Sequence, residues 1–355
     1  MYYTQAGRHF TSYSSDSRLI PFAEDRILLA AIFAFGLFVL PFTASYYWLS
    51  GILIPWLCLS LVALGQNILM GYAGQLSLGS AGFMAAGAFA CYNFELRLEW
   101  MPFPVSLLLS GLVAAAIGVL FGLPSLRVRG LYLAVATLAS QFFIVWVIDK
   151  FGWFKNYDSS GIITAQDIVI LGYEFTTPAE MYVVVLIIVA LLTWLAMNMA
   201  KGSIGRNWMA VRDMDVAAEA MGLSLLRTKL QAFAISSFYC GVGGALFAFT
   251  FLQSVEPVAF DILLSFRILF MVIIGGLGTI IGAYLGSGFI LLLPIFLNIF
   301  FHAVVGDAID ATIISAFEQV IFGVMMILFM IYQPLGMARI LENTLERLRA
   351  WPFRR

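Results

Sequence analysis

Charge is scarce in this chain. Lys and Arg number 19 and Asp and Glu 20 among 355 residues, while 62% of the residues are hydrophobic and the mean hydropathy is +0.96. A water-soluble core cannot absorb that much apolar surface, so a soluble globular fold is excluded. Strict apolar–polar alternation is also missing, which excludes a membrane β-barrel. Cysteine is limited to Cys58, Cys91 and Cys240. All three fall inside apolar runs and none forms a CxxC pair, so they read as packing residues, with no disulfide framework and no metal site. Histidine is limited to His9 and His302. An intramembrane hydrolase would need His302 to serve Ser80, the serine of Gly79-Ser80-Ala81-Gly82. The hydropathy pattern puts those two residues at opposite ends of their spans, so no catalytic residue is assigned. No GxxxxGK[ST] phosphate loop occurs, so the chain has no such route to ATP hydrolysis. The one candidate for an ionisable residue at mid-membrane is Glu318, which with Gln319 sits early in the last span and reads as lying near the outer interface. A self-sufficient ion-coupled transporter is therefore the weaker alternative. Met1 to Arg26 is polar, with no short apolar run before a cleavage site, and reads as a cytoplasmic tail and not a signal peptide.

What remains is an all-α polytopic membrane protein with about ten spans. They run near Ile27–Tyr47, Ile52–Met70, Leu76–Phe94, Val105–Gly122, Leu131–Ile148, Met181–Met199 and Gln231–Phe251, with the last near Ile313–Ile331. Between these, Phe266 to Phe301 is too long for one helix and reads as two, broken near Gly275 to Gly282. Pro294 is expected to kink the second of them. Basic residues set the orientation. An inner N-terminus puts inside the tail, the Arg127/Arg129 turn, the loop with Lys201, Arg206, Arg212, Arg227 and Lys229, and the C-terminal arginines. Only Arg97, Lys150, Lys155 and Arg267 are left outside. The chain thus divides into a cytoplasmic N-terminal tail (1–26), a transmembrane domain (27–332) and a cytoplasmic C-terminal tail (333–355). The transmembrane domain carries a periplasmic loop (149–180) and a cytoplasmic loop (200–230).

The cytoplasmic loop holds a short amphipathic segment. Met214, Ala217, Ala218 and Met221 follow the i, i+3, i+4, i+7 spacing of one helix face, with Asp215 and Glu219 on another. Gly222 is a helix stop and Ser224 a cap for the next helix. Such a knob suits a soluble partner; the plainer reading is a helix lying on the bilayer. Two uncharged glycine-rich hairpins also occur, Gly71 to Gly82 and Gly275 to Gly286, in the same sense of an internal repeat. In the second, Gly278, Gly282 and Gly286 recur every four residues, a pattern for close helix packing. Around the first, Asn67, Gln75, Ser77 and Ser80, with Tyr132, Thr137 and Gln141 of the fifth span, either line a solute path or bond between helices. The spacing also predicts a short strand within Ile168 to Phe175 around Gly172. A surface helix is expected over Leu335 to Trp351, with Leu341, Leu345 and Leu348 inward and Arg339, Arg347 and Arg349 toward head groups. Glu256, Asp261 and Arg267 read as a polar rim.

Four stretches taken in order resemble the LivM-type permeases of bacterial ABC importers. They are Asn67 to Gly79, Leu126 to Ala134, Ala210 through Gly222, and Ile274 to Thr279, within a likeness running from about Arg26 to Arg339. The resemblance implies a LivH-like sister permease, two cytoplasmic ATPase subunits that hold ATP and Mg, and a periplasmic solute-binding protein; the long outer loop 149–180 reads either as a docking face for that protein or as a solvated cap over the helices. The chain itself would need no cofactor, no metal and no nucleic-acid partner, and would sit in the bacterial inner membrane. It also implies that Arg212, Asp213, Met214, Ala217, Ala218, Glu219, Ala220, Met221 and Gly222 couple to the ATPase. The segment departs from the wider ABC pattern in that Gly222 follows Glu219 by only three residues. Branched-chain or other hydrophobic amino acids are the expected solutes. Similar permeases for urea, short amides or aromatic acids are the alternative.

Overall fold

The computed structural model describes residues 23–98, 100–125, 130–157, 163–166, 168–170, 172–305, 311–332 and 336–349. The tail before residue 23, Arg127, Arg129, Asp158, Asp167 and the last six residues lie outside them. The chain is an antiparallel assembly of helices: α1 (Ala23–Phe38), α2 (Ile54–Asn67), α3 (Ser80–Arg97), α4 (Phe103–Ser125), α5 (Leu131–Lys150) and α6 (Pro178–Lys201). Then follow α7 (Ser203–Asp213), α8 (Asp215–Ala220), α9 (Leu225–Leu246), α10 (Ile262–Gly275), α11 (Ile280–Val305), α12 (Ala311–Tyr332) and α13 (Gly336–Arg349). Among the described residues, 7 helical stretches are long and apolar enough to cross a bilayer. The places expected for the other spans hold α3, the shorter α10 and α12.

Helix ends follow local chemistry. Thr177 and Glu180 form a reciprocal capping box at α6, Asp261 accepts from Leu264 N–H at 2.8 Å, and Ser224 accepts from Arg227 N–H. Asp261, expected in a polar rim, is exposed and also caps α10. The seventh span begins at Leu225, a turn and a half before the apolar run, because that cap starts it in the polar loop. α2 and α9 both end in a π-helical turn, at Ile68–Tyr72 and Phe247–Leu252.

α9 is the central helix, packed on α2, α3 and α4. Small residues bring the backbones together: Gly87 faces the backbone of Gly241 with no room for a Cβ, and Gly244 faces Met84. Lipid does not distinguish apolar helices, so this close approach is what selects neighbours in a membrane. The outer faces of α1, α4 and α5 expose Phe35, Leu112 and Phe142, and Tyr46, Tyr47 and Trp48 are exposed where an interfacial belt is expected. The three cysteines are buried and form no disulfide.

At the end of the bundle remote from α7, β1 (Ile163–Thr164) pairs with β4 (Ser254–Val255). β2 (Ile168–Ile170) and β3 (Tyr173–Phe175) form an antiparallel hairpin turning at Gly172, whose φ is 83°. The expected strand is thus two strands. Arg97 lies over the Trp153 ring at 3.5 Å and donates to the Trp153 carbonyl. The Tyr173 hydroxyl donates to Glu180, and that bond to a carboxylate raises the phenol above its usual range.

Candidate functional site

The two glycine-rich hairpins are real interruptions, and they meet. α2 gives way to a π turn, and the chain from Ala73 to Gly79 is non-helical before α3 starts at Ser80. The third span therefore begins later than its apolar run, because Gly74 (φ 69°) and the residues after it hold an irregular path. Likewise α10 stops at Gly276 (φ 121°), and α11 starts at Ile280 after Gly278 (φ 75°). Asn67 clamps one interruption to the other: its Nδ2 donates to Thr279 O at 2.8 Å, and its Oδ1 accepts from Gly278 N–H at 2.8 Å. Gly278 is thus part of the turn and not of the helix face assigned to it. Gly282 and Gly286 do serve packing, lying against Gly275 and Met271 of α10.

A helix that begins inside a membrane protein leaves amide donors that need partners. At α3 they are served from several sides. Leu78 N–H donates to Thr137 Oγ1 at 2.9 Å, Gly79 N–H to Ser77 Oγ at 3.3 Å, and Ala81 N–H to Ser265 Oγ at 3.0 Å. Gly82 N–H donates to Gln141 Oε1, whose Nε2 in turn donates to Phe260 O at 2.9 Å. So Asn67, Thr137 and Gln141 bond between elements, as one of the two readings has it, while Ser77 accepts from its own segment. Tyr132 is 75% exposed and lies apart from them, because the outward face of α5 carries it. Gln75 and Ser80 differ. Both are buried, and Gln75 Oε1, Gln75 Nε2 and Ser80 Oγ have no hydrogen-bond partner within the chain. Unpaired buried polar atoms are rare and call for an occupant or a function.

The amphipathic segment is two helices, not one. The backbone turns at Met214 (φ −151°, ψ 92°), which separates α7 from α8. Ala218 is fully buried, whereas Met214, Val216 and Met221 are 71%, 74% and 72% exposed. The expected stripe of Met214, Ala217, Ala218 and Met221 is therefore not a single outward face. α8 is too short to present two turns, and Ala218 points into the protein while Ala217, Glu219 and Ala220 face out. Gly222 ends α8 as expected, with φ 88° and a bond from Leu223 N–H to Ala218 O. The anchoring face lies upstream in Gly205, Trp208 and Val211, all buried. Their three-residue spacing was the available signal.

A cleft of about 580 Å³ opens between the first interruption and this loop. Ala73, Gly74 and Gln75 form one wall, and Arg212, Val216 and Lys229 stand among the others. In α13, Gly336 and Ala338 are buried among the described side chains and Leu341 is 37% exposed, so the first turn of the helix seats on the protein. The side chains of His302, Glu318, Gln319, Leu345, Arg347, Leu348 and Arg349 lie outside the described part.

Residues 48–330 match the family model described as branched-chain amino acid transport system, permease component. The high-affinity branched-chain amino acid transport system permease protein LivM of Escherichia coli is 30% identical over 302 residues, covering 78% of this chain and 67% of that one. The autoinducer 2 import system permease protein LsrC of an Enterobacter species is 27% identical over 274 residues, covering 74% and 75%. A probable branched-chain amino acid transport permease protein LivM of Methanocaldococcus jannaschii is 21% identical over 314 residues, covering 78% and 89%. No solved structure matches.

Proposed function

This chain belongs to the family of permease components of branched-chain amino acid transport systems, and we propose that it lines the path by which branched-chain or other hydrophobic amino acids cross the bacterial inner membrane. A LivH-like sister permease completes the path. Two cytoplasmic ATPase subunits bind ATP and Mg and seat on the exposed side chains of α7 and α8, and a periplasmic binding protein delivers solute to the loop carrying β1 to β3. The chain itself carries no catalytic group and needs no cofactor.

The observation that carries the assignment within the protein is the pairing of two interrupted helices beside an exposed pair of short helices, which Lys201, Arg227 and Lys229 flank. Interrupted helices supply polar backbone at membrane depth without fixed charge. Gln75 and Ser80 add the unpartnered side-chain dipoles. A zwitterion with an aliphatic side chain suits such a lining, in which Arg212, Lys229, Asp213 and Asp215 on the loop side offer charge of both signs and the interruptions themselves add none. Uptake of labelled leucine, isoleucine and valine by cells producing this permease with its sister, ATPase and binding-protein subunits tests the reading. Leucine, isoleucine and valine uptake that depends on the chain is expected. Chain-dependent uptake of urea or of a multiply charged ion, with none of the aliphatic amino acids, overturns it.

A further inference from the structure

One side chain joins the exposed loop to both interruptions. Arg212, next to last in α7, donates from Nη1 to the carbonyl of Gly71 at 2.7 Å. Its Nε donates to Asp213 Oδ1 at 2.8 Å. The stem lies on the first interruption: a Cβ at Gly74 would stand 2.6 Å from Arg212 Cγ. The Gly71 carbonyl belongs to the terminal turn of the α2 segment, where acceptors lack an intrahelical donor and a cation is favoured by the helix dipole.

The contact does not stop there. Gly71 touches Gly278 through backbone alone, with a Cβ on Gly71 standing 2.9 Å from Gly278 Cα. Asn67 then binds Gly278 and Thr279. On the far side Gly336, at the start of α13, would place a Cβ 2.5 Å from Gly276 Cα. These contacts leave no slack: backbone touches backbone, and interiors packed this closely transmit displacement. A shift of α7 at Asp213 therefore reaches the end of α2 through a guanidinium, and the α10–α11 turn through Asn67 and glycine backbone.

We propose that Arg212 is the positioning residue through which the loop sets both interrupted helices at once. It acts by holding the Gly71 carbonyl while anchored to Asp213, and it touches neither solute nor nucleotide. Its planar fork serves two acceptors in fixed geometry, which an ammonium does not reproduce. The inference rests on the reading that α7 and α8 receive the ATPase.

The test uses the complete importer in proteoliposomes, comparing wild type with Arg212→Ala and Arg212→Lys, and reads solute imported per ATP hydrolysed. A misfolded fraction lowers import and hydrolysis in proportion and leaves this ratio alone. Loss of the link lowers the ratio, by tenfold or more for Arg212→Ala and by less for Arg212→Lys. Ratios within twofold of wild type in both variants overturn the proposal. Should Arg212→Ala fail to assemble, Arg212→Lys decides, and failure of that variant to assemble also overturns it, since Arg212 is then a folding residue. If the wild-type chain neither retains an ATPase subunit nor imports amino acids, it is the preceding assignment that falls.

Discussion

Gly71 and Gly278 meet backbone to backbone, the second interrupted helix resting on the first at a point where a Cβ on Gly71 would stand 2.9 Å from Gly278 Cα and nearer still to its nitrogen. Neither residue has a substitute of larger size. Gly71 lacks room, and Gly278 holds φ at 75°, where an L side chain is strained.

Gly71→Ala should therefore force the interruptions apart. Overpacking of this kind costs about 1–3 kcal/mol, and import should fall with it. Thermal unfolding of the purified protein together with leucine uptake checks the expectation. An unchanged midpoint would show that the two helices do not touch here.

Replacing Asn67 by Leu removes two hydrogen bonds and leaves Gly278 N–H and Thr279 C=O without their partner. Each stranded group costs about 1–3 kcal/mol. Asn67→Asp keeps the acceptor, loses the donor and adds charge, so it should fare no better. The measurement is again the thermal midpoint, and a stable Asn67→Leu protein would contradict the clamp.

Gln141 and Gln75 should respond in opposite ways. Gln141→Leu strands Gly82 N–H and Phe260 C=O, so stability falls by about 1–3 kcal/mol. Gln75→Leu removes polar atoms that had no partner within the chain, so stability holds or rises while import slows several-fold. Ser80→Ala belongs with Gln75. Parallel losses of stability in all three variants would remove the distinction between holding residues and path residues.

On the loop, Val216→Glu and Met221→Glu alter exposed side chains and should leave the permease stable yet weaken its retention of the ATPase in affinity purification. Ala218→Arg is a different experiment. Ala218 is fully buried, so a cation there needs a cavity that does not exist and should lower the yield of folded protein. Normal yield of Ala218→Arg would mean that α8 sits differently.

The helices were legible because bilayer thickness imposes a length on apolar runs, and every expected span has a helix. The two interruptions were legible because Gly71-Tyr72-Ala73-Gly74 and Gly275-Gly276-Leu277-Gly278 cluster where spans should continue. The roles of the polar residues were not. Thr137 or Gln141 on a span reads alike whether it faces solute or caps an amide of another helix, and the cap partner Ser265 lies far off in sequence. Trp208 escaped because its buried face precedes the segment with the clearer period. The turn at Met214 escaped because helical spacing continues across it unchanged.

The amides at the head of α3 look in several directions for their acceptors: to Thr137 and Gln141 on α5, to Ser265 on α10, and to Ser77 on the lead-in. Sliding α5 by one helical turn, about 5.4 Å, would strip two of those donors at a depth where no bulk water replaces them. Such a slip is barred not by bulk but by dehydrated N–H groups. The three helices are thereby bound to travel as one block, like a single thick plate. Any opening that admits a solute has to be found along the margins of that plate, by tilting it against its neighbours, because its own seams cannot shear.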